Sequence, residues 1–242
     1  DDEYGVETAW HDRVSRVDLT RYPQYPVKIY DSDRHLFIVE GRLHDIHGKQ
    51  PLDTLRELVD DLRPAEPSTN PHIRKWLLEQ DGEFNVLVRD KSGERWAFIN
   101  DILGRLPVYF CQDSRCSCLS RELRFVARLF GLTALDRRAT AEYLLFGYPL
   151  GERTLLEDVR RLPGGTLLQW SDNDPGAARH TYGPFDFSRK RSVARADEAA
   201  GELADLFVQA SGRQADQKQA AILSFSGGLD SRAVAAGLAR AG

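Results

Sequence analysis

Short apolar runs bounded by turn residues recur through the first half of the chain. VKIYD (27–31), HLFIVEG (35–41), FNVLVRD (84–90), RWAFIND (95–101) and PVYFC (107–111) have the length, residue types and alternation of strands. Between the third and fourth, KSGE sets Ser92 and Gly93 where a tight hairpin turn is needed. Helical spacing instead governs PLDTLRELVDDL (51–62), with Leu52, Leu55, Leu58, Val59 and Leu62 recurring as on one face. It also governs PHIRKWLLEQ (71–80), RELRFVARLFG (121–131), which stops at Gly131, and DRRATAEYLLFGYPLG (136–151), which ends near Gly147 and Pro149. LPGGTLLQW (162–170) then predicts a turn into a strand, and DNDPGAA (172–178) a loop before the next one. Hairpins rather than long crossovers join these strands, so the first part of the chain is α+β.

The pattern changes after PFDFSRKRS (184–192), where Pro, Ser and a short basic run mark a boundary. We place two domains at 1–188 and 189–242. In the second, ADEAAGELADLFVQASG (196–212) predicts a helix with Ala200, Leu203, Phe207 and Ala210 on one face, closing on Gly212. QAAILSF (219–225) reads as a buried strand, and SRAVAAGLARAG as a helix. Helix, strand, glycine turn and helix are the opening of an α/β parallel-sheet domain, whose ligands bind beyond the carboxyl end of the strand.

The turn itself, Ser226, Gly227, Gly228, Leu229, Asp230 and Ser231, is the chain's main candidate for chemistry. A glycine turn that opens a helix aims backbone N–H groups and the positive end of the helix dipole at one spot, where phosphate can sit. Ser226 and Ser231 add hydroxyl donors, and Asp230 is either an N-cap or an acceptor toward the cation that accompanies a polyphosphate. A plain glycine turn capped by Ser or Asp has the same composition. The stretch lacks the Lys of a G-x-x-x-x-G-K-[ST] loop and is not a G-x-G-x-x-G fingerprint.

Composition narrows the partners. A net charge of −4 gives no overall footprint for nucleic acid, and no apolar run approaches the ~20 residues of a membrane span. The expected location is cytoplasmic. Cys111, Cys116 and Cys118 suit neither a disulfide framework nor paired zinc spacing and read as reduced thiols. His35, His44 and His47 form a loose trio with no completing ligand, so no protein metal site is expected. The sequence contains no Met and starts on Asp1, so short contiguous motifs carry more weight here than long separations.

Ser226–Ser231 resembles the S-G-G-x-D-S pyrophosphate loop of ATP pyrophosphatases. The stretch 81–110 resembles the segment of asparagine synthetases that reads D-G-x-F-A-F, a hairpin, then R-D-x-x-G-x-x-P-L-Y-Y, with Asp81, Gly82, Phe84, Asp101, Gly104, Pro107 and Tyr109 matching. LSRELR (119–124) is similar to that family's A-S-E-L-K. The segment 141–170 resembles its G-x-R-T-L-F-x-x-V-x-x-L-P-P-G element. The resemblance implies an αββα Ntn-hydrolase-like glutaminase domain, followed by the start of an ATP pyrophosphatase domain. It further implies ATP and Mg²⁺ as cofactors, with a small-molecule or peptide carboxylate and an amine as substrates. A homodimer is among the expected assemblies, and nucleic acid and membrane are not expected partners.

Departures from the family pattern fall on the glutamine site. The resembled enzymes begin on a nucleophilic Cys, whereas this sequence starts on Asp1, so no catalytic residue is assigned in the glutaminase half. HDRVSRVD (11–18) resembles H-E-R-L-S-I-V-D, and Arg13 stands where an arginine grips the glutamine carboxylate. VEGRLHD (39–45) stands where the family has V-N-G-E-I-Y-N. Glu40 thus replaces an oxyanion-binding Asn, Gly41 is kept, and Arg42 replaces a glutamate that receives the substrate amine. A carboxylate at an oxyanion position repels the charge that catalysis must stabilise. The expected function is amide-bond formation through a carboxylate adenylate, with glutamine hydrolysis lost. A genuine glutamine-hydrolysing synthetase lacking its first residue, and a non-catalytic scaffold, are the alternatives.

Overall fold

The computed structural model describes residues 5–44, 51–61, 71–183, 195–215 and 222–242. The expected boundary at 188/189, residues 219–221, His47 and Leu62 lie outside them. The chain divides into two compact units, Asp1–Phe185 and Asp186–Gly242.

In the first unit the predicted runs become β3 (Val27–Asp31), β4 (His35–Leu43), β5 (Gly82–Asp90), β6 (Arg95–Asn100) and β7 (Tyr109–Gln112). Four strands escaped the periodicity. They are the hairpin β1 (Gly5–His11) and β2 (Arg16–Arg21), the four-residue β8 (Ser117–Ser120) and the two-residue β9 (Arg160–Arg161). After β10 (Thr166–Ser171), β11 (Asp174–Thr181) starts inside the stretch expected to be a loop. Ser171 pairs with Asp174, so the turn is two residues long and the chain re-enters the ladder at once.

The main sheet has the order β11-β10-β6-β5-β4-β3, antiparallel throughout. Strand alternation gives it two faces. Phe37, Val39, Phe84, Val86, Val88, Ala97, Ile99 and Leu167 form one core with residues of α1 (Pro51–Asp61) and α2 (Pro71–Glu79), among them Leu55, Leu58, Ile73 and Leu77. The other face presents Leu87, Phe98, Leu168 and Trp170 to Val108, Phe110, Leu119 and Leu162 of a second sheet, ordered β8-β7-β9, and its flanking loops. That sheet's outer side packs Cys111 and Cys118 against Val126 of α3 (Leu123–Phe130). The layers therefore run helices, sheet, sheet, helix. Glu40, on the same strand face as Ile38, and Asn85, on that of Leu87, lie on the inter-sheet side.

Local chemistry ends the helices where the sequence placed the stops. Gly131 takes the left-handed conformation after α3, and Leu132 N–H returns to Ala127 O, the two-bond closure that satisfies the last carbonyls. Asp136 caps α4 (Arg137–Phe146) by accepting from Ala139 N–H at 2.9 Å.

The second unit differs from expectation in two places. Helix α5 (Ala196–Gln214) runs through Gly212 instead of closing on it. Gly212 and Gly237 are glycines because α5 and α6 (Leu229–Ala241) touch there: a Cβ on Gly237 would stand 2.6 Å from Ser211 Oγ, and one on Gly212 3.1 Å from Ala241 Cβ. Residues 222–225 are exposed and not a strand. A strand needs a hydrogen-bonding neighbour, and among the described residues this unit contains two helices and no strand.

Candidate functional site

Glu40 ends the apolar run of β4, opposite Asn85 of β5. Its carboxylate is 17% exposed and receives three donors. Tyr25 Oη donates to Oε1 at 2.6 Å, Arg121 Nε donates to the same oxygen at 2.9 Å, and Asn85 Nδ2 donates to Oε2 at 2.8 Å. Arg121 also donates to Pro107 O, which ties the segment after β8 to the loop before β7. Burial, and then the Glu40 carboxylate, push the Tyr25 hydroxyl up to about 12, so it stays a protonated donor at neutral pH.

Gly41 lets this corner close. Its φ is +90°, its N–H donates to Pro26 O at 2.7 Å, and a Cβ there would lie 2.1 Å from Glu83 O. Arg42 is exposed, facing Glu83 across the ladder. Arg13 is not brought to this cluster. It sits exposed in the β1–β2 turn beside Asp12, whose carboxylate lies 3.7 Å from Arg89. Arg89 is four residues along β5 from Asn85, roughly 13 Å at about 3.3 Å per residue. No ion pair joins Arg13 to Glu40.

The matched Asp101 and Gly104 form a brace rather than a reactive centre. Buried Asp101 accepts from Leu103 N–H at 3.0 Å, Arg105 N–H at 3.1 Å and Arg105 Nε at 3.2 Å, while its carbonyl accepts from Gly104 and Gly165, each at 2.9 Å. Arg105 in turn donates to Gly82 O, so the D-G and D-x-x-G elements hold each other in place.

The candidate nucleotide loop opens α6. Gly227 has φ +76°, and Gly228, not Asp230, is the N-cap. Asp230 lies in the first helical turn, where its charge complements the dipole. Ser226 Oγ donates to Ser231 Oγ at 3.2 Å, which donates to Gly228 O at 3.2 Å, and Arg232 donates to Gly227 O at 3.0 Å. Residues 226–230 are exposed, and the first-turn N–H groups have no acceptor within the helix.

Sequence reasoning named Glu40 but not Tyr25, Asn85 or Arg121. A carboxylate at the end of a buried apolar run was the available signal, because it must find donors and a cation. Those partners stand 15, 45 and 81 residues away. All three cysteines are free, and burial pushes Cys118 up to about 11. Among the described residues no group of three or more His, Cys, Asp or Glu could hold a metal ion, and no helix is long and apolar enough to cross a membrane.

A family model described as a glutamine amidotransferase domain matches residues 74–182. No curated protein matches the chain. Among solved structures, glutamine phosphoribosylpyrophosphate (PRPP) amidotransferase from B. subtilis, complexed with ADP and GMP, is 10% identical over 79% of this chain and 43% of that one, with a TM-score of 0.32. The catalytic domain of the serine threonine protein phosphatase PstP, with two manganese ions, is 15% identical over 70% of this chain and 76% of that one, with a TM-score of 0.23. This chain spans less than half the length of the amidotransferase. The family match includes Asn85, Asp101, Arg105 and Arg121 and begins after Arg13, Tyr25 and Glu40–Arg42. The stretch from 74 to 182 is thus similar to a glutamine amidotransferase domain.

Proposed function

We propose that this chain belongs to an ATP-dependent amide-forming enzyme of asparagine synthetase type whose glutamine-hydrolysing half has lost its chemistry. The observation that carries this reading is the Glu40 carboxylate, fixed by Tyr25, Asn85 and Arg121 in the same compact unit whose residues 74–182 match a glutamine amidotransferase domain. At the position that the resemblance assigns to an oxyanion donor, it supplies a negative charge and no proton donor. A tetrahedral oxyanion would meet repulsion where it needs two donors.

The second half of the reading rests on the Ser226–Ser231 loop. Its exposed glycines and uncapped first-turn N–H groups suit the β and γ phosphates of ATP, with Ser226 and Ser231 as hydroxyl donors. Asp230 is the carboxylate of the loop that would face the accompanying Mg²⁺ and its waters. A substrate carboxylate oxygen attacks the α phosphorus, the α–β bridge breaks, and pyrophosphate leaves. An amine then attacks the acyl carbon and AMP departs. The nucleophile is free ammonia or an amine carried by the substrate.

The test is carboxylate-dependent exchange of pyrophosphate into ATP by the protein expressed from its complete coding sequence, scanning aspartate, other small carboxylic acids and peptides. Exchange that requires a carboxylate and proceeds without glutamine supports the reading. Absence of exchange across the panel overturns it in favour of a non-catalytic domain.

A further inference from the structure

The three donors around Glu40 make up a receptor for a carboxylate. Tyr25 comes from the loop before β3, Asn85 from the centre of the main sheet and Arg121 from the segment after β8. Nothing local forces them together, yet a phenol O–H, an amide N–H and a guanidinium N–H converge on the two oxygens of one carboxylate at 2.6, 2.8 and 2.9 Å. One neutral O–H, one neutral N–H and one charged N–H supply two donors to one oxygen and one to the other, well within the four lone pairs available. Asn85 is only 5% exposed, and its Oδ1 has no hydrogen-bond partner. The amide is thus turned so that its donor serves the carboxylate while its acceptor goes unmatched, a cost that an anion at this place offsets.

We infer that the inter-sheet corner of Tyr25, Asn85 and Arg121 is a carboxylate-binding site, and that Glu40 occupies it as an internal ligand. The tether gives Glu40 a high effective concentration, so free carboxylates do not displace it from the wild-type protein. The amidotransferase-type domain is therefore shut from within by its own side chain. With Glu40 removed, the corner takes a small free carboxylate. This holds whether or not the protein forms amides, because pyrophosphate exchange reports on the Ser226–Ser231 loop and the experiment below reports on Tyr25, Asn85 and Arg121.

The probe is sodium formate, compared with sodium chloride at matched ionic strength, and the readout is the thermal midpoint. Glu40→Ala opens the site: its midpoint falls below wild type and rises again with formate but not with chloride, by mass action on the folded state. Glu40→Gln fills the same space with an uncharged amide and gives no formate-specific rise, as does the wild type. Adding Arg121→Ala to Glu40→Ala removes the charged donor and abolishes the response. Should Glu40→Ala fail to stay folded, its soluble yield on refolding in formate against chloride reads the same equilibrium. A Glu40→Ala protein indifferent to formate in both readouts, or an equal formate response in wild type, overturns the inference.

Discussion

Arg89 and Asp172 meet in a bidentate pair at 2.6 and 2.5 Å across 83 residues of sequence. The guanidinium is almost fully buried, lying 5.5 Å from the Trp10 ring centre and 5.1 Å from that of Trp96. Trp96 in turn stacks on Trp170. One cation thus pins the β1–β2 hairpin and the β10–β11 turn to β5. Asp172→Ala leaves that charge buried with only the more distant Asp12, and the expected cost is about 3–5 kcal/mol in urea unfolding. Arg89→Lys is expected to fall well short of wild type, because an ammonium cannot fork to both Asp172 oxygens, and it loses the guanidinium's broad contact with the two indole rings, which stand 85° to each other.

Gly41→Ala is expected to destabilise by more than the roughly 1 kcal/mol that the same change gains at a glycine whose backbone alanine can adopt. The new Cβ meets a backbone oxygen, Glu83 O, at 2.1 Å, and φ is +90°. Backbone must move, and the Glu40 corner moves with it. The thermal midpoint and the tyrosine absorbance of Tyr25 should change together.

Acid should unfold the first unit through a few carboxylates. Burial raises Asp12 and Asp90, but donors outweigh it: Val14, Trp10 and Ser15 bring Asp12 to about 2, and Ser92, Gly93 and Arg95 bring Asp90 to about 2. Arg153, with Leu150 N–H, brings Glu142 to about 2. A folded value below the unfolded one adds stability above pH ~4 that is lost as pH falls toward about 2. The urea midpoint should decline over that window, and Asp90→Asn should flatten the decline.

The Ser226–Ser231 loop separates function from stability. Its side chains are mostly exposed, so Ser226→Ala and Asp230→Asn should change unfolding by no more than about 0.5 kcal/mol. The same variants should abolish carboxylate-dependent pyrophosphate exchange.

What the sequence made legible tracks how local each cause is. Helices α1 to α4 and strands β3 to β7 follow from periodicity and from Gly131, Asp136 and Gly147, all acting within a few residues. The β1–β2 hairpin has no buried residue, and its only alternation, Val17 and Leu19 between polar neighbours in β2, spans too few apolar positions to mark a strand, while β9 is only two residues long. Gly212 looked like a stop because its reason, the close approach of α6, lies in another helix. Resemblance pointed to Glu40, yet the meaning of that residue came from Arg121, whose contact no spacing rule reaches. Residues 222–225 have the composition of a strand, but among the described residues no strand pairs with them.

The most direct measurement is glutamate released from glutamine by the wild-type protein, followed beside AMP formation with ammonia as the alternative nitrogen source. The account predicts AMP formation that depends on a carboxylate and is supported by ammonia or a substrate amine, with no glutamate above background. Glutamate released in step with AMP would contradict it, because a site held closed by Glu40 and Arg121 cannot hydrolyse glutamine.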